Sequence, residues 1–234
     1  CDLLRLRMAL TSDVLYESKC KCGEVIMELR GEPAVTLTCF CNDCAACCKY
    51  CDDKAEAAGK TNISLFKDGE QGLYGTSFFA AHITFAKGED KLVSFKTLNG
   101  KNVRAYSSCC YTCMICVGGK DFPYHGRGLN TNTLTVKKTG ERFLPEGPRI
   151  MGSLAPKEVW DKVPAPKSKF IPIFFLLFKL LPKILFPWFF PGAGAHKGSQ
   201  TPGMYNSIAG VTEEVQLSTY HALGRKLEIA DKTQ

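Results

Sequence analysis

Residues 39–51 read CFCNDCAACCKYC, and six of these thirteen residues are cysteine. The first three, Cys39, Cys41 and Cys44, follow a Cys-x-Cys-x-x-Cys spacing. Thiolates grouped this closely are soft ligands that suit tetrahedral zinc. Cysteines so near in sequence are poor disulfide partners for one another, because a disulfide needs Cα atoms about 4.4–6.8 Å apart with converging side chains. The stretch therefore predicts a metal site.

Two further cysteine clusters flank this stretch. Cys20 and Cys22 lie upstream, and the downstream cluster consists of Cys109, Cys110, Cys113 and Cys116. The alternative interpretation is a disulfide framework, which is typical of short secreted chains with an even number of cysteines. This chain has 234 residues and 13 cysteines. We therefore expect one or two zinc ions and a reducing, intracellular compartment.

The composition and the net charge limit the classes of protein to which the chain can belong. Hydrophobic residues make up 45% and charged residues 23%, which is ordinary for a globular protein. The net charge is +7, and much of the excess lies between residues 156 and 197, which contain seven lysines and two acidic residues. The β-rich part lacks basic residues interleaved with stacking aromatics, so no nucleic-acid partner is expected. The chain begins at Cys1 rather than methionine, which permits an organellar protein after removal of a leader.

Short β-branched and aromatic segments separated by turns predict a mainly β fold. Residues 42–60 are the best helix candidate, with Asn42 and Asp43 as potential caps and an alanine-rich sequence up to Gly59. Asn99-Gly100 between two predicted strands is the clearest hairpin signal. The predicted strands are 24–30, 34–38, 61–66, 77–85, 91–97, 102–106 and 131–137.

The composition also divides the chain. We expect an N-terminal arm at residues 1–15, a zinc-binding β domain at 16–160, and a C-terminal part at 161–234. The last part begins with a Pro/Lys linker and continues as an apolar segment at 170–191, followed by a tail whose residues 213–229 are a further strand or helix candidate.

The apolar segment 170–191 allows three interpretations. It is long enough to span a bilayer, but Pro172, Pro182 and Pro187 interrupt it and lysines lie inside it. Docking on a membrane surface or on a membrane-protein complex is therefore favoured over burial against the β domain, and spanning comes last. The lysines favour an anionic lipid surface. We expect a peripheral membrane protein with this segment broken near Pro182.

The cysteine motifs resemble those of the glutathione-dependent formaldehyde-activating enzyme / centromere protein V family. The similar residues are Cys20-Lys-Cys22-Gly23, Cys39-Phe-Cys41-Asn-Asp-Cys44, Lys87-Gly-Glu-Asp-Lys-Leu92 and Arg104-Ala-Tyr106-Ser-Ser-Cys109-Cys110, in the order of the family and over residues 16–150. The resemblance implies a β-tent-like fold of small antiparallel sheets with one short helix. It also implies a structural zinc shared by the first and third clusters and a catalytic zinc at the middle cluster.

The resemblance also assigns ligands. Cys20 and Cys22 are similar to structural ligands, and Cys39, Cys41 and Cys44 to the ligands and catalytic residues of the second site. The third cluster departs from the family pattern. Cys110 matches the second family cysteine, but Ser107 stands where the first belongs, so Cys109 or Cys113 has to supply the fourth thiolate.

Two functions follow from these expectations. With an open position at the Cys39 site, the chain is a carbon–sulfur lyase-type enzyme that adds glutathione to formaldehyde or another small aldehyde. If Cys47, Cys48 or Cys51 closes that site, the domain is a non-catalytic accessory subunit stapled by zinc. The sequence supplies no poised base that decides between them.

The histidines add little to the site. His82 lies in an apolar segment and is expected to be a hydrogen-bonded core residue rather than a ligand. His125 lies near Arg127 and is either a pocket or a loop residue.

Overall fold

A computed structural model describes four main stretches of the chain, residues 13–79, 82–97, 102–117 and 126–155. It also describes residues 159, 178, 181–182 and 213–215. Within these stretches the chain forms twelve strands and one α-helix. The strands are β1 (Val14–Lys19), β2 (Ile26–Arg30), β3 (Val35–Cys39), β4 (Leu73–Phe79), β5 (Ile83–Lys87), β6 (Leu92–Thr97), β7 (Val103–Ser107), β8 (Cys113–Val117), β9 (Gly126–Asn130), β10 (Leu134–Val136), β11 (Arg149–Ile150) and β12 (Glu213–Val215).

The strands form two sheets. The smaller sheet has the order β10-β1-β2-β5, and its neighbours are all antiparallel. The larger sheet has the order β11-β3-β4-β9-β8-β7-β6-β12. Its inner pairs are antiparallel, whereas the two outermost strands, β11 and β12, pair in parallel with β3 and β6. The result is a mainly β protein with one helix, as predicted.

The main core contains residues of both sheets. The smaller sheet supplies Met27 and Leu29, and the larger sheet supplies Phe78, Ile115 and Leu129, all at most 1% exposed. Alternation along the strands directs these side chains to one face, as expected for sheets that bury one side.

The helix α1 (Asn42–Ala57) covers a second cluster on the larger sheet. Cys47, Cys48 and Cys51 of α1 pack there with Phe95 of β6 and Tyr106 of β7. These cysteines recur at helical spacing, so one stripe of α1 is thiol-rich. The opposite side of α1 carries charged pairs such as Lys49 with Asp53, joined by a 2.6 Å hydrogen bond.

Most predicted elements are confirmed within a few residues, and three differences are informative. Residues 61–66 form no strand; Phe66 makes only an isolated bridge to Leu73. The predicted strand 77–85 is divided between β4 and β5, which belong to different sheets. Strands β8 and β9 were not predicted, because the first is cysteine-rich and the second contains two glycines.

Several predictions fall outside the described residues. They include the Asn99-Gly100 turn, although its flanking strands β6 and β7 are antiparallel neighbours. They also include residues 1–12, His125 and most of 156–212. In the apolar segment, Phe178 and Leu181 are described and are 68% and 46% exposed. The helices among the described residues include none that is long and apolar enough to cross a membrane.

Candidate metal centres

A group of four cysteines forms where two turns meet. Cys20 and Cys22 belong to the turn after β1, and Cys109 and Cys110 to the turn between β7 and β8. Gly23 closes the first turn at φ +76°, a conformation that favours glycine, and its N–H donates to the Cys20 carbonyl at 3.0 Å. Cys20 and Cys109 are 89 positions apart in the sequence, so the fold brings the two turns together.

The spacing of the four sulfurs fits a tetrahedral metal. All four Sγ atoms lie within 4.8 Å of one another. The Cys20–Cys22, Cys20–Cys109 and Cys22–Cys109 Sγ distances are 3.5, 3.8 and 3.0 Å. Ligand atoms of a tetrahedral zinc with Zn–S bonds of about 2.3 Å are about 3.8 Å apart. The donor set and its spacing therefore suit zinc.

Hydroxyl groups around Cys110 favour its thiolate form. The Ser107 and Thr112 hydroxyls each lie 3.2 Å from Cys110 Sγ. The amides of Lys21 and Ile63 already donate to Thr112 Oγ1, so its own proton is free to point at the sulfur. Although burial opposes the shift, these hydrogen bonds lower the pKa of Cys110 to about 6. A thiolate is the form that binds a metal.

The structure thus places Cys109, and not Cys113, with Cys20, Cys22 and Cys110. Cys113 begins β8 and packs beneath α1 instead. Ser107, which stands at the expected ligand position, contributes a hydrogen bond to the neighbouring thiol. The role of Ser107 and Thr112 around the sulfur was not predicted, because a hydroxyl two or three residues from a cysteine carries no distinctive pattern.

The second group consists of Cys39, Cys41 and Cys44, whose Sγ atoms also lie within 4.8 Å of one another. Cys39 ends β3, Cys41 precedes α1, and Cys44 lies in the first turn of α1. Hydrogen bonds from the Cys39 and Cys44 thiols lower the pKa of Cys41, while the pKa values of Cys39 and Cys44 are raised. The three thiols therefore share negative charge that is centred on Cys41.

The other helix cysteines stay apart from this group. Cys47, Cys48 and Cys51 are at most 2% exposed, and burial raises the pKa of each thiol. The Cys51 thiol is hydrogen-bonded to Cys113. Among the described residues, none of them joins either metal-competent group. They pack as small apolar side chains in the core beneath α1.

A buried arginine lies beside the second group. Arg104 of β7 is 2% exposed, and its Nη2 donates to Cys44 Sγ at 3.9 Å. Within the part of the chain that the structure describes, its Nε and Nη1 have no hydrogen-bond partner. Although burial opposes it, interactions with Cys116, Cys47, Cys44 and Cys113 raise the pKa of Arg104 further. No role was predicted for this residue, because an arginine in a strand is usually solvent-facing.

His82 is a buried core residue, 8% exposed, as predicted. Its ring packs edge-on against Phe79 and lies over Gly31, where a Cβ would meet the ring at 3.0 Å and where φ is +67°, a conformation that favours glycine. Burial, together with Arg30, lowers the pKa of His82 and keeps it neutral. Its Nδ1 has no hydrogen-bond partner among the described residues.

Comparison with known proteins adds little to this picture. No family model and no curated protein matches the chain. The structure is similar to the crystal structure of a Rhodobacter sphaeroides protein, a Northeast Structural Genomics target, with 15% identity and a TM-score of 0.36. The match covers 57% of this chain and 98% of that one. At this identity and TM-score the likeness supports no statement on fold or function.

The fold and the two cysteine groups define the class of molecule. It is a mainly β protein with two separate clusters of cysteines that could hold metal ions.

Proposed function

We propose that the chain is a zinc protein of the formaldehyde-activating type, in which the two cysteine groups have different roles. The observation that carries the proposal is the different number of thiols: one group has four and the other three. Four thiolates fill a tetrahedral zinc site, as in structural centres, whereas three leave a position for an exogenous ligand. Cys47, the nearest candidate to close the second group in sequence, stays in the core beneath α1.

The proposed reaction adds the thiol of glutathione to formaldehyde or another small aldehyde. When bound by Cys39, Cys41 and Cys44, a zinc ion would lower the pKa of a thiol in its free position. The sulfur would form a bond to the carbonyl carbon while the C=O π electrons move to oxygen, and the proton lost from the thiol would return to that oxygen through water, which gives the S-hydroxymethyl product. The junction of β3 and α1 would orient the three thiolates, and the four-cysteine group would link the turn after β1 of the smaller sheet to the turn between β7 and β8 of the larger sheet.

The test measures metal content and catalysed exchange together. Purified chain is expected to contain two zinc ions, and NMR with ¹³C-formaldehyde is expected to show faster exchange with its glutathione adduct than the spontaneous reaction. Cys41→Ser is expected to lose one zinc and the rate enhancement. Cys48→Ala, which alters a buried thiol outside both groups, is the matched control and keeps both. No rate enhancement from protein with two zinc ions would contradict the enzyme and favour an accessory role.

A further inference from the structure

The observation behind this inference is a buried positive charge that donates a hydrogen bond to a sulfur. Arg104 is 2% exposed, and Cys44 Sγ accepts the one hydrogen bond of its guanidinium among the described residues. An isolated charge is costly to bury, and arginine does not deprotonate in proteins. A negative charge nearby is therefore required.

The position of Arg104 on the sheet directs it toward the second cysteine group. Arg104 pairs across the sheet with Phe95 on one side and Cys116 on the other. Phe95 belongs to the cluster beneath α1, whereas Ala105, the next residue of β7, belongs to the core between the sheets. Since cross-strand partners share a face, the Arg104 side chain lies on the α1 face. The first turn of α1, which carries Cys44, is on that face.

A count of charges completes the argument. Three thiolates around a divalent ion carry one net negative charge, and the guanidinium carries one positive charge, so the two together are neutral. The Nη2–H donor also satisfies one lone pair of Cys44, the kind of outer contact that orients a metal ligand.

We propose that Arg104 is the positioning residue and counter-charge of a divalent metal bound by Cys39, Cys41 and Cys44. The proposal rests on the proposed function only in that this group holds a divalent ion. It adds a determinant of metal affinity that is separate from the ligands. It also explains why two guanidinium donors can remain without partners in the described structure: the metal–trithiolate unit supplies the compensating charge.

The experiment compares metal affinities of full-length variants. Zinc is titrated against a chromophoric chelator, and cobalt(II) absorption reports the thiolate environment. Wild type is expected to show two affinities, and Cys41→Ser assigns the one that belongs to the three-cysteine group. Arg104→Met, which keeps the length and removes the charge, is expected to weaken that affinity about 10- to 100-fold. The affinity of the four-cysteine group is the internal control and stays unchanged.

Two further variants make the result specific. Arg104→Lys, which restores a positive charge, is expected to recover most of the affinity and to shift the cobalt spectrum only slightly. Arg142→Met makes the same substitution at a half-exposed guanidinium, with 51% of the side chain exposed, and is expected to leave both affinities unchanged. Equal affinities in wild type and Arg104→Met would overturn the proposal. The proposal would also be overturned if the metal affinity of Arg104→Lys were as low as that of Arg104→Met.

A structure of the metal-loaded wild type supplies a second measurement that does not depend on folding of a variant. We expect an Arg104 guanidinium nitrogen within hydrogen-bond distance of a coordinated sulfur. A guanidinium paired with a carboxylate instead would overturn the inference while leaving the metal site intact. If Cys41→Ser still binds two ions, the three-cysteine group holds no metal, and the proposed function fails together with the role of Arg104; loss of the role of Arg104 alone leaves two ions in wild type and one in Cys41→Ser.

Discussion

The two cysteine groups use the same ligand atom in different surroundings. The four-cysteine group joins two turns, has an exposed member in Cys22, and surrounds Cys110 with hydroxyl donors. The three-cysteine group lies where β3 meets α1 and has a buried guanidinium beside it. Four thiolates with a divalent ion carry two negative charges, and three carry one. The comparison teaches that neutral hydrogen bonds surround the four-cysteine group, whereas a full positive charge accompanies the group with one ligand fewer.

The largest expected effect is the loss of the four-cysteine group. Cys22→Ser is expected to abolish metal binding there and to unfold the β core, because the group links the turn after β1 to the turn before β8. Structural zinc contributes about 10–16 kcal/mol in small zinc peptides, which is comparable to the stability of a whole domain. Circular dichroism and metal analysis check this. Cys48→Ala is the matched control. A folded Cys22→Ser variant with one zinc would show that the four-cysteine group is not required for folding.

Loss of the three-cysteine group should be milder. Cys41→Ser is expected to remove one metal and leave the sheets folded, because α1 and β3 remain held by the core beneath α1 and by the β3–β4 pairing. The thermal midpoint is expected to fall by a few degrees rather than disappear. Unfolding as complete as that of Cys22→Ser would mean that both groups are structural, which would remove the difference between them.

The Ser107 hydroxyl allows a test of the hydrogen bonds around the four-cysteine group. Ser107→Ala removes the hydrogen bond to Cys110 Sγ, which favours the thiolate. A hydrogen bond to a charged group contributes about 1.5–3 kcal/mol, so zinc affinity at the four-cysteine group is expected to fall about 10- to 100-fold. Ser108→Ala in the same turn is the control. An unchanged affinity would show that the Thr112 hydroxyl alone suffices.

The sequence predicts the parts of these groups that are local. Cys39, Cys41 and Cys44 stay close together in the fold, because they lie at the end of a strand and in the first turn of the helix that follows it. The helix itself follows from its alanine-rich composition, and most strands follow from β-branched runs. These features depend on neighbours along the chain.

The parts that were missed depend on which face of a strand a residue occupies. Cys109 and Cys113 are four residues apart, and only the turn with Tyr111 at φ +58° sends one to the metal group and the other beneath α1. A one-residue change of register reverses such assignments. Arg104 was missed for the same reason, since its burial depends on α1 covering that face.

A pH-dependent prediction concerns the strand beside Cys39. Glu70 accepts two hydrogen bonds from Arg149 of β11, at 2.8 and 2.6 Å, and β11 pairs with the end of β3. Although burial opposes it, Arg149 and Lys67 lower the pKa of Glu70. The stabilisation is therefore present above the unfolded pKa of 4.5 and is lost as the pH falls through the lower folded value.

Glu70→Gln is accordingly expected to lower the free energy of unfolding by about 1 kcal/mol at pH 7, with less effect as the pH approaches 4. Urea unfolding of wild type and variant at several pH values measures the difference. Glu146→Gln, at a carboxylate that is 76% exposed, is the control with little effect. A difference that grows toward acid pH would contradict the assigned sign.

The smallest effect on the two groups is expected from the C-terminal apolar segment. Residues 170–191 contain seven phenylalanines and five leucines, and the described Phe178 and Leu181 are 68% and 46% exposed. Burying one such side chain contributes about 1.5–3 kcal/mol, and the lysines within the segment favour anionic headgroups. We propose that this segment docks the protein on a membrane surface. Its deletion is then expected to leave both zinc ions and the thermal midpoint unchanged.

Sedimentation with vesicles separates this role from a structural one. Wild type is expected to sediment with vesicles containing phosphatidylserine and less with neutral vesicles, and the deletion variant is expected to stay in the supernatant. A variant in which Lys179 and Lys183 become glutamine keeps the apolar residues and tests the charge alone; it should bind anionic vesicles more weakly, by about 1 kcal/mol per lysine. Loss of zinc or of folding in the deletion variant would show instead that the segment packs against the β domain.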